Sequence, residues 1–181
     1  MTAANAAAVA AAALHDGIPL ADVVDALESA TARSAHRMAV LERSDGLVVI
    51  DDAYNANPES MRAALAALAT LGAGRRRWAV LGEMRELGPD AEQLHAEVGG
   101  YAATAGVDEI VAIGAAAPVA DGAAAVSGWT GRARVVDDTA AATKVVLDET
   151  RPRDVVLVKA SRGGQLWQIA QALTGQAVTG L

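Results

Sequence analysis

The feature that most constrains the fold is a rhythm of short apolar runs separated by longer helix-like segments. The runs are Leu47-Val48-Val49-Ile50, Trp78-Ala79-Val80-Leu81, Ile110-Val111-Ala112-Ile113, Ala133-Arg134-Val135-Val136 and Val155-Val156-Leu157-Val158. All but the run at 133–136 are apolar throughout and lack in/out alternation. That is the pattern of parallel strands covered by helices on both faces. The intervening segments carry helix punctuation. Asn57-Pro58 places an N-cap before a proline at the first helical position, and Met61, Leu65 and Leu68 then line one face up to Gly72. Asp90 with Gln93 matches a capping box, and that helix is expected to stop at Gly106. Further helices are expected after Asp138, ending before Pro152, and after Gly163-Gly164. Repeated strand–helix order requires crossover connections, so the expected fold is α/β: a Rossmann-like three-layer domain with a mostly parallel sheet. Residues 36–42 and 47–51 flank Ser44-Asp45-Gly46, a hairpin signal that adds one antiparallel edge strand.

Residues 2–15 and 20–30 break this rhythm: two helices joined by Asp16-Gly17-Ile18-Pro19, with no strand between them. The first is alanine-rich with hardly any polar face, so alone it exposes apolar surface. It is expected to be a piece of a preceding domain or a docking surface, with a boundary near residues 31–35. The 181 residues suffice for one full domain, or one domain plus a fragment. A formal charge of −7, from 15 Lys+Arg against 22 Asp+Glu, argues against non-specific nucleic-acid binding. The absence of cysteine excludes disulfides, thiolate metal sites and Cys nucleophiles. The apolar run at 3–14 is too short to span a bilayer. The aromatic residues Trp78, Trp129 and Trp167 are expected to pack, His95 to lie at the surface or half-buried, and Arg75-Arg76-Arg77 to form a solvated turn.

Three segments carry candidate chemistry. Asp51-Asp52-Ala53-Tyr54-Asn55-Ala56-Asn57-Pro58 leaves the carboxyl end of a buried strand and enters a helix N-terminus. In open α/β sheets that edge binds ligands, so the paired carboxylates could accept ribose hydroxyls or hold Mg²⁺; the alternative is a capping turn. Leu81-Gly82-Glu83-Met84-Arg85-Glu86-Leu87-Gly88 leaves another strand end and is either functional or a plain βα loop. Lys159-Ala160-Ser161-Arg162-Gly163-Gly164 combines two cations, a hydroxyl and glycines before a helix, which suits a phosphate or carboxylate or else a solvated, capped loop. Arg37, before the hairpin, could reach a phosphate or form a surface ion pair. No G-x-x-x-x-G-K-[ST], G-x-G-x-x-G or G-x-S-x-G motif occurs, and no His pair at ligand spacing, so binding and activating ATP by this chain alone is not expected.

Taken in order and at this spacing, these segments resemble the C-terminal domain of the Mur ligases. Asn-Ala-Asn-Pro at 55–58 and Gly-Glu-Met-x-Glu-Leu-Gly at 82–88 favour the members that add a dipeptide. The resemblance implies an ATP-dependent amide ligase of cell-wall synthesis, cytoplasmic, that joins D-Ala-D-Ala to UDP-N-acetylmuramoyl-tripeptide through an acyl phosphate. It implies a boundary with residues 1–33 as the last helices of the central ATPase domain and 34–181 as the C-terminal domain, which in the family swings over the central one. Carried over by motif, Asn5 contacts the adenine side of ATP, Arg37 the phosphates and Asp52 the ribose. Tyr54, Asn55, Asn57, Lys159, Ser161 and Arg162 face the incoming dipeptide or the acyl phosphate. Mg²⁺ is implied mainly for the central domain, with no metal ligand expected here. The P-loop and UDP-substrate domain have no counterpart in the sequence, so the chain is expected to be part of a ligase and inactive alone. The other reading is a non-catalytic binding module or partner subunit derived from one. Ser34-Ala35 before His36-Arg37 departs from the Pro-Gly-like turn of many members.

Overall fold

In the computed structural model, the described residues are 3–28 and 36–176. They fall in two compact units, Met1–Ser34 and Ala35–Gly180. The first contains α1 (Ala3–His15) and α2 (Leu20–Glu28), joined through a turn in which Gly17 has φ 81°. Val9, Leu14, Ile18, Leu20 and Val24 are exposed in this unit, as the apolar character of the first helix leads one to expect.

The second unit is the three-layer α/β domain. Its elements in order are β1 (Ala39–Glu42), β2 (Val48–Asp52), α3 (Pro58–Leu71), β3 (Arg77–Leu81), α4 (Ala91–Thr104), β4 (Glu109–Ile113), α5 (Pro118–Ala124), β5 (Arg132–Val136), α6 (Thr139–Glu149), β6 (Val155–Lys159) and α7 (Trp167–Thr174). They form one sheet in the order β1-β2-β6-β3-β4-β5, with β1 antiparallel to β2 and all other pairs parallel. Successive residues of each central strand feed opposite cores, which is why these runs are apolar without alternation. Val48, Ile50, Ala79, Leu81, Ile110, Ala112 and Leu157 pack with α3, α4 and α5, while Val49, Val80, Val111, Val156 and Val158 pack with α6 and α7. The exception, β5, is an edge strand, and its Arg132 and Arg134 reach Glu109 and Glu149. The tryptophans pack as expected: Trp78 is fully buried, and Trp129 and Trp167 lie against the two cores.

The punctuation holds in part. Asn57 is the N-cap of α3, its side chain accepting from Ser60 N–H in a reciprocal capping box, and Asp138 caps α6 through Ala141 N–H. The Asp90–Gln93 box does not form. Gly88, at φ 67°, and Pro89 start a 3-10 turn two residues earlier, so Asp90 has φ −88° and ψ 7° rather than the extended geometry of an N-cap. Gln93 donates instead to Glu97. The tract Arg75-Arg76-Arg77 is not a solvated turn: Arg75 donates to the carbonyls of Gly46 and Arg153, and Arg76 pairs with Glu109 and lies over the Trp78 ring. Helix α5 carries little sequence signal beyond Pro118. It lies so close to α4 that a Cβ on Gly122 would stand 1.8 Å from the Ala96 carbonyl oxygen, and one on Gly99 1.9 Å from that of Val119.

Candidate active-site edge

The strand order builds the site. Because β6 is inserted between β2 and β3, the loops leaving β2, β6 and β3 emerge side by side at the carboxyl edge of the sheet. Those loops carry the three sequence segments singled out above. Backbone bonds join two of them directly: Gly82 N–H donates to Lys159 O and Ser161 N–H to Glu83 O. Ser161 Oγ, itself nearly buried, accepts Arg85 N–H at 3.1 Å. Gly82 permits this approach, since a Cβ there would stand 2.8 Å from Ala160 Cβ.

His95 supports the same loop from below. It is 2% exposed, not at the surface, because the loop after β3 folds over it. Its Nε2 accepts Met84 N–H at 2.9 Å and its Nδ1 faces Ala91 O at 2.7 Å. A backbone N–H can only donate and a carbonyl can only accept, so the ring carries its proton on Nδ1.

Both carboxylates of the Asp51–Asp52 pair accept from protein donors. Asp51, fully buried, accepts from Ala53 N–H and meets His36 Nδ1 at 2.6 Å. Asp52 accepts Met38 N–H at 3.0 Å through one oxygen and Lys159 Nζ at 2.5 Å through the other. Asp52 and Lys159 are register partners across the β2–β6 ladder, which explains why the two side chains meet. Lys159 is 1% exposed and also donates to Asn55 O at 2.8 Å. It therefore ties the loop after β2 to the end of β6, with two of its three donors used within the chain.

The exposed rim of the site is cationic and aromatic. The Arg37 guanidinium carbon lies 4.1 Å from the centre of the Tyr54 ring and that of Arg162 5.5 Å from it. Tyr54, Asn55, Arg85, Glu86, Ser161, Arg162 and Gly163 enclose a cleft of about 280 Å³. Asn55 turns its Oδ1 to its own loop at Ala56 N–H, and Asn57 is committed to capping α3. The structure thus gathers Arg37, Asp52, Tyr54, Asn55, Lys159, Ser161 and Arg162 at one edge, with Asn57 at the adjoining helix start. The side chain of Asn5, in α1, lies outside the described residues. Two contributors were not identified from the sequence. Arg85 occupies the variable position of its motif, and only its place on a cleft wall reveals it. His36 precedes Arg37 and carries no motif of its own. A larger cavity of about 450 Å³, lined by Arg77, Asp108 and Trp129 among others, opens at the amino end of the strands and holds none of the motif residues.

The fold and the grouping of these loops define a ligase-type C-terminal domain, and the chain belongs to the Mur ligase family: residues 36–162 match the family described as Mur ligase, glutamate ligase domain. Within that family its curated relatives include the UDP-N-acetylmuramoyl-tripeptide–D-alanyl-D-alanine ligase of Mycobacterium tuberculosis (strain ATCC 25618 / H37Rv), 43% identical over 97% of this chain and 38% of its own length. The enzyme of the same name from Escherichia coli (strain K12) is 31% identical over 94% of this chain and 36% of its own. Among solved structures, a crystal structure of MurF from Acinetobacter baumannii superposes with a TM-score of 0.81 at 30% identity, covering 95% of this chain and 37% of that one. MurF from Thermotoga maritima in complex with ADP gives 0.68 at 25% identity, covering 90% and 35%. The chain therefore spans little more than a third of the length of these relatives. Among the described residues no helix is long and apolar enough to cross a membrane.

Proposed function

We propose that this chain supplies the C-terminal part of an ATP-dependent amide ligase that joins D-Ala-D-Ala to UDP-N-acetylmuramoyl-tripeptide in the cytoplasm, with residues 1–33 the last helices of the central ATPase domain. The observation that carries the reading is the convergence of three loops, with Arg37 and Arg162 both placed at the Tyr54 ring, on a domain 43% identical to a ligase of that name. A carboxylate is a poor acyl donor until phosphorylated, and the amine must then reach the acyl phosphate ahead of water. Arg37, exposed beside Tyr54, takes phosphate charge, since guanidinium groups pair with phosphate oxygens. The carboxylate of Asp52 already accepts from Met38 N–H and Lys159; with about four lone-pair positions it has room for ribose hydroxyls as well. Tyr54, Asn55, Ser161 and Arg162 border the cleft for the dipeptide or acyl phosphate. Lys159 and Asn57 act from behind, Lys159 by fixing Asp52 and the Asn55 carbonyl and Asn57 by starting α3. Asn5 is assigned to the adenine side on motif position alone.

The residues here do not fit a Mg²⁺ site: Asp51 and Asp52 are held by protein donors, and among the described residues no group of three His, Asp or Glu is placed to hold a metal ion. No step is derived through that ion. The test is phosphate release dependent on ATP and D-Ala-D-Ala, with UDP-muramoyl-tripeptide, for this chain mixed with a P-loop-bearing half. Activity in the mixture that falls at least tenfold in Arg37→Ala, an exposed position, is the expected result. Equal activity for Arg37→Ala would remove the phosphate role, and silence of a folded mixture would favour a binding module.

A further inference from the structure

We infer that His36 is a positioning residue, which locks onto buried Asp51 and stacks on Trp167 to hold the turn that seats Arg37 over Tyr54. The inference rests on the phosphate role proposed for Arg37 and says how that side chain comes to be placed.

Arg37 is flanked by two non-glycine residues with left-handed backbone, His36 at φ 62° and Met38 at φ 51°. Side-chain-bearing residues adopt this region at a cost, and two within three positions persist only where the surroundings over-determine them. Here they do. The His36 Nδ1 lies 2.6 Å from Asp51 Oδ2, its ring stacks on Trp167 with centroids 5.3 Å apart and planes 24° from parallel, and its carbonyl accepts Tyr54 N–H at 3.1 Å. On the other flank, Met38 N–H donates to Asp52 at 3.0 Å. Each side of Arg37 is thus held by one of two adjacent carboxylates at the end of β2. The residue whose ring receives Arg37 is the same one whose amide holds the His36 carbonyl.

This frame gives the Asp51–Asp52 pair a use that neither a capping turn nor a metal site describes: Asp51 orients the histidine, Asp52 the residue after the arginine. It also accounts for an exposed guanidinium standing 4.1 Å from an aromatic centre. Pre-placing the cation removes rotamer freedom before an anion arrives, so the ordering cost is met in the fold and not on binding.

The test is heteronuclear NMR of the full chain. In the wild type, the Arg37 side-chain protons are expected to be shifted upfield by the Tyr54 ring current and the Arg37 Nε–H to be ordered. In His36→Gly, which keeps the left-handed backbone at no steric cost but removes the ring, that shift collapses while the amide resonances of β3, β4 and β5 stay in place. His36→Asn, which also tolerates the backbone, serves if the glycine variant fails to fold. Inorganic tripolyphosphate, titrated while following Arg37, is expected to bind the variant at least threefold more weakly. An unshifted Arg37 in the wild type, or an Arg37 signature and affinity unchanged in the variant, would overturn the inference. An Arg37 that the variant unseats, but that tripolyphosphate perturbs in neither protein, would leave the positioning intact and sink the phosphate role.

Discussion

Replacing Asp52 with Asn tests the centre of the site, because it leaves the Lys159 ammonium facing a neutral amide in a place water hardly reaches. Lys159 is 1% exposed, and its other acceptor is the Asn55 carbonyl 2.8 Å away. Removing one partner of a buried pair typically costs about 3–5 kcal/mol, since the remaining charge stays desolvated. The Asp52 side chain is 13% exposed, which gives water a route to the survivor and places the expectation near the lower end, about 3 kcal/mol. For a chain of this size that is a fall in Tm of about 6–12 °C. Lys159→Met, which leaves Asp52 its Met38 N–H and its partial hydration, should cost less, about 2 kcal/mol. The double variant should cost clearly less than the two added, because neither charge is then stranded. Urea unfolding of the four proteins at pH 7, followed by circular dichroism, gives the cycle. An Asp52→Asn chain within about 0.5 kcal/mol of wild type, or strictly additive effects, would refute the reasoning and free Lys159 for direct contact with a ligand.

Two further outcomes follow from other parts of the domain. Hydrogen bonds from Arg134 hold the Glu149 carboxyl down at about 2 against the opposing effect of burial, so its folded pKa lies below its unfolded one. Its contribution is complete above the unfolded carboxylate range, about 4.3, and is lost as pH falls through the folded value. The difference in urea midpoint between wild type and Glu149→Gln should be constant above about pH 5 and shrink toward pH 2; a gap that persists to pH 2 would contradict the pairing. At the α4–α5 crossing, Gly122→Ala should lower stability by about 1–3 kcal/mol, because its new methyl meets the Ala96 carbonyl and the helices must part. Gly100→Ala, whose methyl would find its nearest neighbour at 3.6 Å, should be neutral or stabilising, and equal thermal midpoints for the two would refute the close crossing.

What was legible in the chain was local. Strands buried on both faces announce themselves by unbroken Val, Ile and Leu, and Asn57-Pro58 and Asp138 mark helix starts through caps that need only neighbouring atoms. The parts that were not legible depend on who lies beside whom. Nothing in the lengths of the connections says that β6 runs between β2 and β3, so the meeting of three loops could be expected from family resemblance but not from the residues. Lys159 reads from sequence as a cation near glycines, available to a ligand. Only the β2–β6 register turns it into a buried partner of Asp52. His95 and the three arginines at 75–77 are less exposed than their sequence suggests for the same reason: a helix face or a charge run looks solvated until a loop or a second strand covers it. Arg85 fills the variable position of its motif and His36 stands beside a motif residue, and their roles come from a cleft wall and a stacked ring.

The position of β6 also has a consequence in time. A ribosome delivers β2 and β3 long before residues 155–159, yet these strands have no ladder to each other; the strand that joins them is the last of the described strands. Without β6 the described strands divide into two separate ladders with unpaired inner edges, the β1–β2 hairpin and β3–β4–β5. Closing the gap is a long-range event, slow in the way non-local pairing is slow. The partners of Asp52 and Glu83, Lys159 and Ser161, arrive with that strand. A product stopped before residue 155 therefore carries the loop after β2 without the Lys159 ammonium that ties Asp52 and the Asn55 carbonyl to the sheet.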